Sequence, residues 1–202
     1  MTGLKVISFV MVLLMFAILG CDDDSNSNGP EPTHVINPLE VGNKSVFKIT
    51  DYDLGGGVTD ISYDTILIVK DTNIGGDVWY VVEGFDYTGY NRNTAQGMEE
   101  WTPSDECLLL KYPATDGDEY DCSMYDVHYE VNATNAAVTV EHGTYTCYEY
   151  VQTPVSGLGD SVLQYCCVDT GLILWENHTP VIVGDDTTFY LRKRHELTEL
   201  VW

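Results

Sequence analysis

From Lys44 onward, apolar and polar positions alternate with a period of two, and no stretch sustains the three-to-four spacing of an amphipathic helix. The alternation predicts strands over residues 44–51, 58–70, 77–85, 96–102, 106–112, 120–131, 137–141, 144–152, 161–168, 172–176 and 187–202. Turn-forming clusters punctuate them: GGG at 55–57, NIGGD at 73–77, TDGD at 115–118, SGLG at 156–159 and VGDD at 183–186. Short strands at hairpin spacing argue for an all-β, mainly antiparallel domain over residues 39–202. The expected form is a curved sheet, an open half-barrel or a sandwich, with few or no helices.

The pattern differs before that domain. Residues 1–20 carry one cation, Lys5, then an apolar run over 6–19 and a small residue, the layout of a secretory signal peptide. The run is short of the roughly 20 residues a spanning helix needs, and the acidic stretch behind it lacks the positive charge that anchors a cytoplasmic flank. Ile18-Leu19-Gly20-Cys21 resembles the lipobox of bacterial lipoproteins. That resemblance implies that a diacylglycerol is attached to Cys21, that residues 1–20 are removed, and that the protein meets its membrane through the lipid. Asp22, Asp23 and Asp24 resemble two sorting signals, one for inner-membrane retention in enteric bacteria and one for surface export in Bacteroidota-like organisms. Residues 21–38 lack apolar periodicity and are rich in Ser, Asn, Pro and Asp, which reads as a flexible tether reaching roughly 20 to 25 Å.

Charge narrows the partners. The chain has 9 Lys and Arg against 32 Asp and Glu, a net charge of -23. Such a field repels phosphate backbones and anionic head groups, so nucleic acid is excluded as a partner. At 44% hydrophobic residues, with 14 Tyr and 4 Trp, the body still has the means to build a core.

A second resemblance runs through the body. NPLEVGNKSVFKI, YPATDGDEY, VTVEHGTYTCYEY and YCCVDTGLILWE are similar, in that order, to segments of uncharacterised bacterial secreted lipoproteins. The matching positions are Val41, Gly42, Asn43 and Phe47, then Val138, Thr139, Val140, Gly143, Thr144 and Tyr145, then Gly171, Leu172 and Ile173. Glu141-His142-Gly143 departs from the family's PAG. The resemblance implies an antiparallel half-barrel like that of the lipoprotein carriers LolA and LolB, and it brings no catalytic site.

Candidate chemistry is sparse. His34, His128, His142, His178 and His195 show neither HxH nor HExxH, and no GxSxG occurs, so the sequence gives no metal, cofactor or nucleophile motif. Asp116, Asp118 and Asp121 in TDGDEYD are the weak calcium candidates, without EF-hand spacing. EGFDYTGYNRN places Phe85, Tyr87 and Tyr90 beside Asn91 and Arg92, a set able to stack on and hydrogen-bond a sugar or peptide from a strand end and loop; the same tyrosines also suit a strand. Glu99 and Glu100 are adjacent on a strand and point to opposite faces, so they cannot flank one glycosidic bond. Arg192, Lys193 and Arg194 form the one cationic run, on the last strand.

In an oxidising compartment the cysteines of the body should pair. A hairpin around 154–159 that sets Thr153 opposite Asp160 also sets Cys147 opposite Cys166 and Glu149 opposite Gln164, leaving Cys167 as a buried free thiol. Cys107 then faces Cys122 across a loop containing residues 113–116.

These readings favour a non-enzymatic, lipid-anchored protein of the bacterial cell envelope that holds an apolar ligand or a partner segment. The alternative is a surface module for glycans or proteins using residues 85–93, with or without calcium. An extracytoplasmic hydrolase is the third reading.

Overall fold

The computed structural model describes residues 34–157, 159–183 and 186–202. The expected lipidation site at Cys21 and the expected sorting residues Asp22 to Asp24 lie outside the described residues. These residues form one antiparallel sheet of twelve strands and no helix. In chain order the strands are β1 (Lys44–Tyr52), β2 (Val58–Ile74), β3 (Asp77–Gly84), β4 (Tyr87–Thr94), β5 (Gly97–Trp101) and β6 (Glu106–Lys111). Then follow β7 (Glu119–Cys122), β8 (Val127–Val140), β9 (Gly143–Pro154), β10 (Ser161–Cys167), β11 (Gly171–Val183) and β12 (Asp186–Val201).

Two six-strand meanders are joined by pairing the first strand with the last. The order across the sheet is β6-β5-β4-β3-β2-β1-β12-β11-β10-β9-β8-β7. At the seam Ile49 faces His195 and Asp51 faces Lys193. The sheet curls until its two edges meet, so the expected open half-barrel is nearly a closed barrel. Among the described residues no backbone ladder joins β6 to β7; side chains close the gap. Cys107 and Cys122 form a disulfide with Cα atoms 5.4 Å apart. The Tyr120 hydroxyl donates to the Leu109 carbonyl at 2.9 Å, and Lys111 Nζ pairs with Asp118 at 3.1 Å. Two edges that would otherwise offer unpaired backbone groups to other chains are thereby covered.

Four expectations change. The predicted strand over 120–131 is broken by a turn at 123–126, where Asp126 adopts φ +54°, and β8 resumes beyond it. The expected aromatic loop after Gly84 is a two-residue turn, with Phe85 at φ +53° and Asp86 at φ +58°, followed by strand β4. Such primed turns match the twist of a hairpin. The β9–β10 ladder is one residue out from the expected pairing: Cys166 faces Tyr148 and Tyr165 faces Glu149. A one-residue slip exchanges faces, so Cys147 and Cys166 form no disulfide; both are buried free thiols, and Cys167 is half-buried and free. The slip is tolerated because the ladder to β10 ends at Gln152 and Val162, before Pro154 would have to donate. Pro154 pairs instead on its other side, with Val127 of β8.

The fourth change concerns the tether, whose last residues are packed. Ile36 is 1% exposed and joins the cluster of Met98, Leu110, Val131, Tyr150 and Cys166. The Asp169 carboxylate accepts from the Val35 amide at 3.0 Å and meets the His34 ring at 2.6 Å, and Asn93 Nδ2 donates to the Asn37 carbonyl at 2.8 Å. Gly171, at φ +88°, has no room for a Cβ because Asn37 Oδ1 would lie 2.5 Å from it. Through Ile36 this strap adds to the core. A second cluster gathers Phe47, Ile173 and Leu197 with Val138, Val140 and Cys147 of the long β8–β9 hairpin, whose His142 amide donates to the Leu197 carbonyl at 3.3 Å.

Candidate functional site

The barrel interior is not filled. A cavity of about 690 Å³ lies between the two meanders. Its apolar wall comes from Ile49, Ile66, Val82, Met98, Leu110 and Trp175, one from each of β1, β2, β3, β5, β6 and β11. Period-two alternation produces this lining: every second residue of a curled strand points inward. Polar groups interrupt that wall. Asn91 (β4), Gln164 (β10) and His195 (β12) enter the wall, while Asp64, Asp86 and Lys193 also line it. Lys193 Nζ is already paired with Asp51 at 3.4 Å.

His195 is the anomaly. It is 7% exposed, and among the described residues nothing hydrogen-bonds either ring nitrogen. Its ring lies between Phe85, with centroids 4.5 Å apart and an edge-on approach, and Trp175, at 4.7 Å. Burial, helped by the Lys193 charge, lowers its pKa to about 4 against the pull of Asp51 and Asp64, so the imidazole is neutral at pH 7. A buried polar group without a partner costs on the order of 1 to 3 kcal/mol.

The turn beside it is held by one carboxylate. Asp64 accepts from the Phe85 amide at 2.9 Å and the Thr65 amide at 2.6 Å, and Phe85 packs edge-on against Phe47 at 5.4 Å. Tyr87, 44% exposed, lies at the rim across Gly89, where a Cβ would fall 2.2 Å from the Tyr87 hydroxyl. A small residue at 89 is therefore what lets Tyr87 fold over the sheet.

Strand β4 divides the aromatic and polar residues that the sequence had grouped as one contact set. Phe85, Tyr87 and Asn91 line the cavity. Tyr90 packs against Trp101 with centroids 5.5 Å apart, on the face opposite Asn91. Arg92, on that same opposite face, is engaged structurally: it reaches Asp77, Glu99 at 2.9 Å and Glu106 at 3.1 Å, and its guanidinium sits 4.3 Å from the centre of the fully buried Trp79 ring. The five residues do not form one platform.

The calcium candidates are not gathered either. Asp116 accepts from the Thr134 amide, Asp118 is engaged by Thr115 and Lys111, and Asp121 meets His128 at 2.7 Å. Among the described residues no group of three metal-ligating side chains occurs. Glu99 and Glu100 do point to opposite faces: Glu99 binds Arg92, whereas Glu100 is 3% exposed and accepts from the Tyr125 hydroxyl at 2.7 Å. Burial raises the Glu100 pKa, with the Tyr125 hydrogen bond opposing it.

No metal or catalytic motif marks His195 in the sequence. The signal was present in β12, where His195 and Leu197 share one face and Arg194 and Glu196 the other. What the alternation lacked was the knowledge that β12 pairs with β1, which turns that face toward the lumen.

No family model matches the chain, and no curated protein matches it. Two solved structures align with the chain over most of its length. A protein from Bacteroides fragilis NCTC 9343, inferred to be exported and with a YmcC-like fold, superposes with a TM-score of 0.48 at 10% identity. The alignment covers 82% of this chain and 98% of that one. An inferred lipoprotein from Parabacteroides distasonis ATCC 8503 superposes with a TM-score of 0.36 at 10% identity, over 83% of this chain and 99% of that one.

Proposed function

We propose that the chain is a non-enzymatic protein of the bacterial cell envelope, held outside the cytoplasm by a lipid on Cys21, and that its barrel carries an apolar small molecule in the lumen. The observation that supports the ligand is the cavity of about 690 Å³, within the range of small-molecule sites, with a mostly apolar wall and a few convergent polar groups. Burying an apolar molecule there gains about 25 cal/mol for each Å² removed from water. The anchor rests on the lipobox-like Ile18-Leu19-Gly20-Cys21 and the apolar run before it.

A neutral, environment-sensitive apolar fluorophore such as N-phenyl-1-naphthylamine tests the lumen. Emission should rise saturably with one equivalent bound, and Val82→Trp, which places a large ring in the cavity wall, should reduce the affinity at least ten-fold. Folded protein that gives no saturable rise refutes the proposal. For the anchor, Cys21→Ala should move the protein from the membrane fraction to the soluble fraction.

A further inference from the structure

The lumen has a polar landmark as well as an apolar wall. Resting on the ligand reading above, we propose that His195 is a head-group site: it takes the hydroxyl of an uncharged, apolar-bodied molecule, which enters as Phe85 swings aside. Three observations converge on this. The imidazole is in the cavity wall, is more than nine-tenths buried, and has neither nitrogen hydrogen-bonded among the described residues. A neutral imidazole carries a donor on one ring nitrogen and an acceptor on the other, and a hydroxyl, which both donates and accepts, can partner whichever of the two faces the cavity.

The charges around the site select against an anionic head. Asp64 and Asp86 line the cavity, Asp51 stands beside it, and the one cation in the wall, Lys193, is paired with Asp51. A carboxylate or phosphate head would enter a negative field with no free cation to meet it. An ammonium head would be drawn toward Asp64 and Asp86 instead, and at His195 it would find only the one ring nitrogen able to accept, leaving its other donors unmet there.

The covering residue sits in a left-handed turn. Phe85 and Asp86 are both non-glycine residues in the left-handed region, at φ +53° and +58°, and the turn is tied to the sheet through the Asp64 carboxylate. Such strain persists where the surroundings hold it and is concentrated at ligand clamps and switch regions. The Phe85 ring lies against the imidazole at 4.5 Å, so displacing it uncovers the ring. Its place against Phe47 and His195 is then open to an alkyl chain.

Calorimetric titration of the whole soluble domain with 1-decanol, 1-chlorodecane and decanoate tests this. 1-Chlorodecane matches the alcohol in length without its hydrogen bonding. In the native protein 1-decanol should bind more tightly than decanoate. His195→Leu should weaken 1-decanol about ten-fold, the scale of one buried neutral hydrogen bond, while 1-chlorodecane changes less than three-fold; His195→Gln, which keeps a donor and an acceptor, should restore much of the loss. Phe85→Ala should speed 1-decanol association. Nitrogen-15 spectra of the native protein should show the His195 ring nitrogens shifting with 1-decanol and not with 1-chlorodecane, a readout that survives if a variant fails to fold. Equal losses for both ligands in His195→Leu, tighter binding of decanoate, or unmoved ring nitrogens overturn the head-group role while leaving the apolar lumen intact. If none of the three compounds binds, the lumen reading itself fails.

Discussion

Cys107 on β6 is bonded to Cys122 on β7, and these are the two outermost strands of the sheet. The bond lies where backbone pairing stops, so it substitutes a covalent clip for a missing ladder. Closing a loop of 15 residues stabilises by about 3 kcal/mol in the chain-entropy account. Reduction, or Cys107→Ser with Cys122→Ser, should lower the melting temperature by about 6 to 12 °C at roughly 2 to 4 °C per kcal/mol. Circular dichroism should still report the sheet below the transition.

Ile36 extends the folded unit into what reads as a tether. Its side chain is 1% exposed among Met98, Leu110, Val131, Tyr150 and Cys166. Ile36→Ala should destabilise by about 2 to 4 kcal/mol, the usual penalty for such a truncation in a core. A denaturant midpoint unchanged from the native protein would show that Ile36 is not part of the core.

The three remaining thiols should differ in reactivity. Burial lifts the Cys147 pKa to about 12 and raises that of the fully buried Cys166 as well, whereas Cys167 is half-buried. Alkylation of the native protein should label Cys167 first, because the thiolate is the reacting form and needs access. Peptide mapping that linked Cys147 to Cys166 would restore the register that the β9–β10 ladder rejects.

His195 should leave a mark on acid stability. Its folded pKa lies near 4, against an unfolded value of about 6.5. At pH 7 both states hold a neutral ring; as the pH falls below 6.5 the unfolded chain binds a proton that the folded one refuses. Stability is therefore lost between about pH 6.5 and 4. Glu100, whose pKa is raised, works in the opposite sense: its contribution favours the folded state in acid and is lost as pH rises through its folded pKa. Comparing unfolding free energies at pH 7 and pH 5, the native protein should lose about 2 kcal/mol more than His195→Leu. Equal losses would mean that the imidazole is not desolvated.

Strand existence was legible because period-two alternation is a local property, and it located most of the twelve strands. Three features were not legible in that alternation. Pairing of β1 with β12 joins residues some 150 positions apart, and that contact decides which face of each strand is inward. The turn at Phe85 and Asp86 carries no glycine, so nothing in the sequence announced left-handed backbone there and β4 read as loop. The register that sets Cys166 opposite Tyr148 is compatible with Pro154 only because the ladder to β10 has already ended at Gln152 and Val162, which no local pattern reveals. The candidate site inherits these limits: Phe85, Tyr87 and Asn91 were found by composition, while Trp175, Met98, Leu110 and His195 became visible only once the sheet had curled.

The most direct test is native mass spectrometry of the protein purified, without detergent exchange, from the cell that makes it. The account predicts a chain that begins at an acylated Cys21 and carries one further non-covalent mass, released on unfolding and identifiable as an uncharged, apolar molecule. An acylated chain that arrives repeatedly with an empty barrel, and that takes up no apolar compound when offered one, would contradict it.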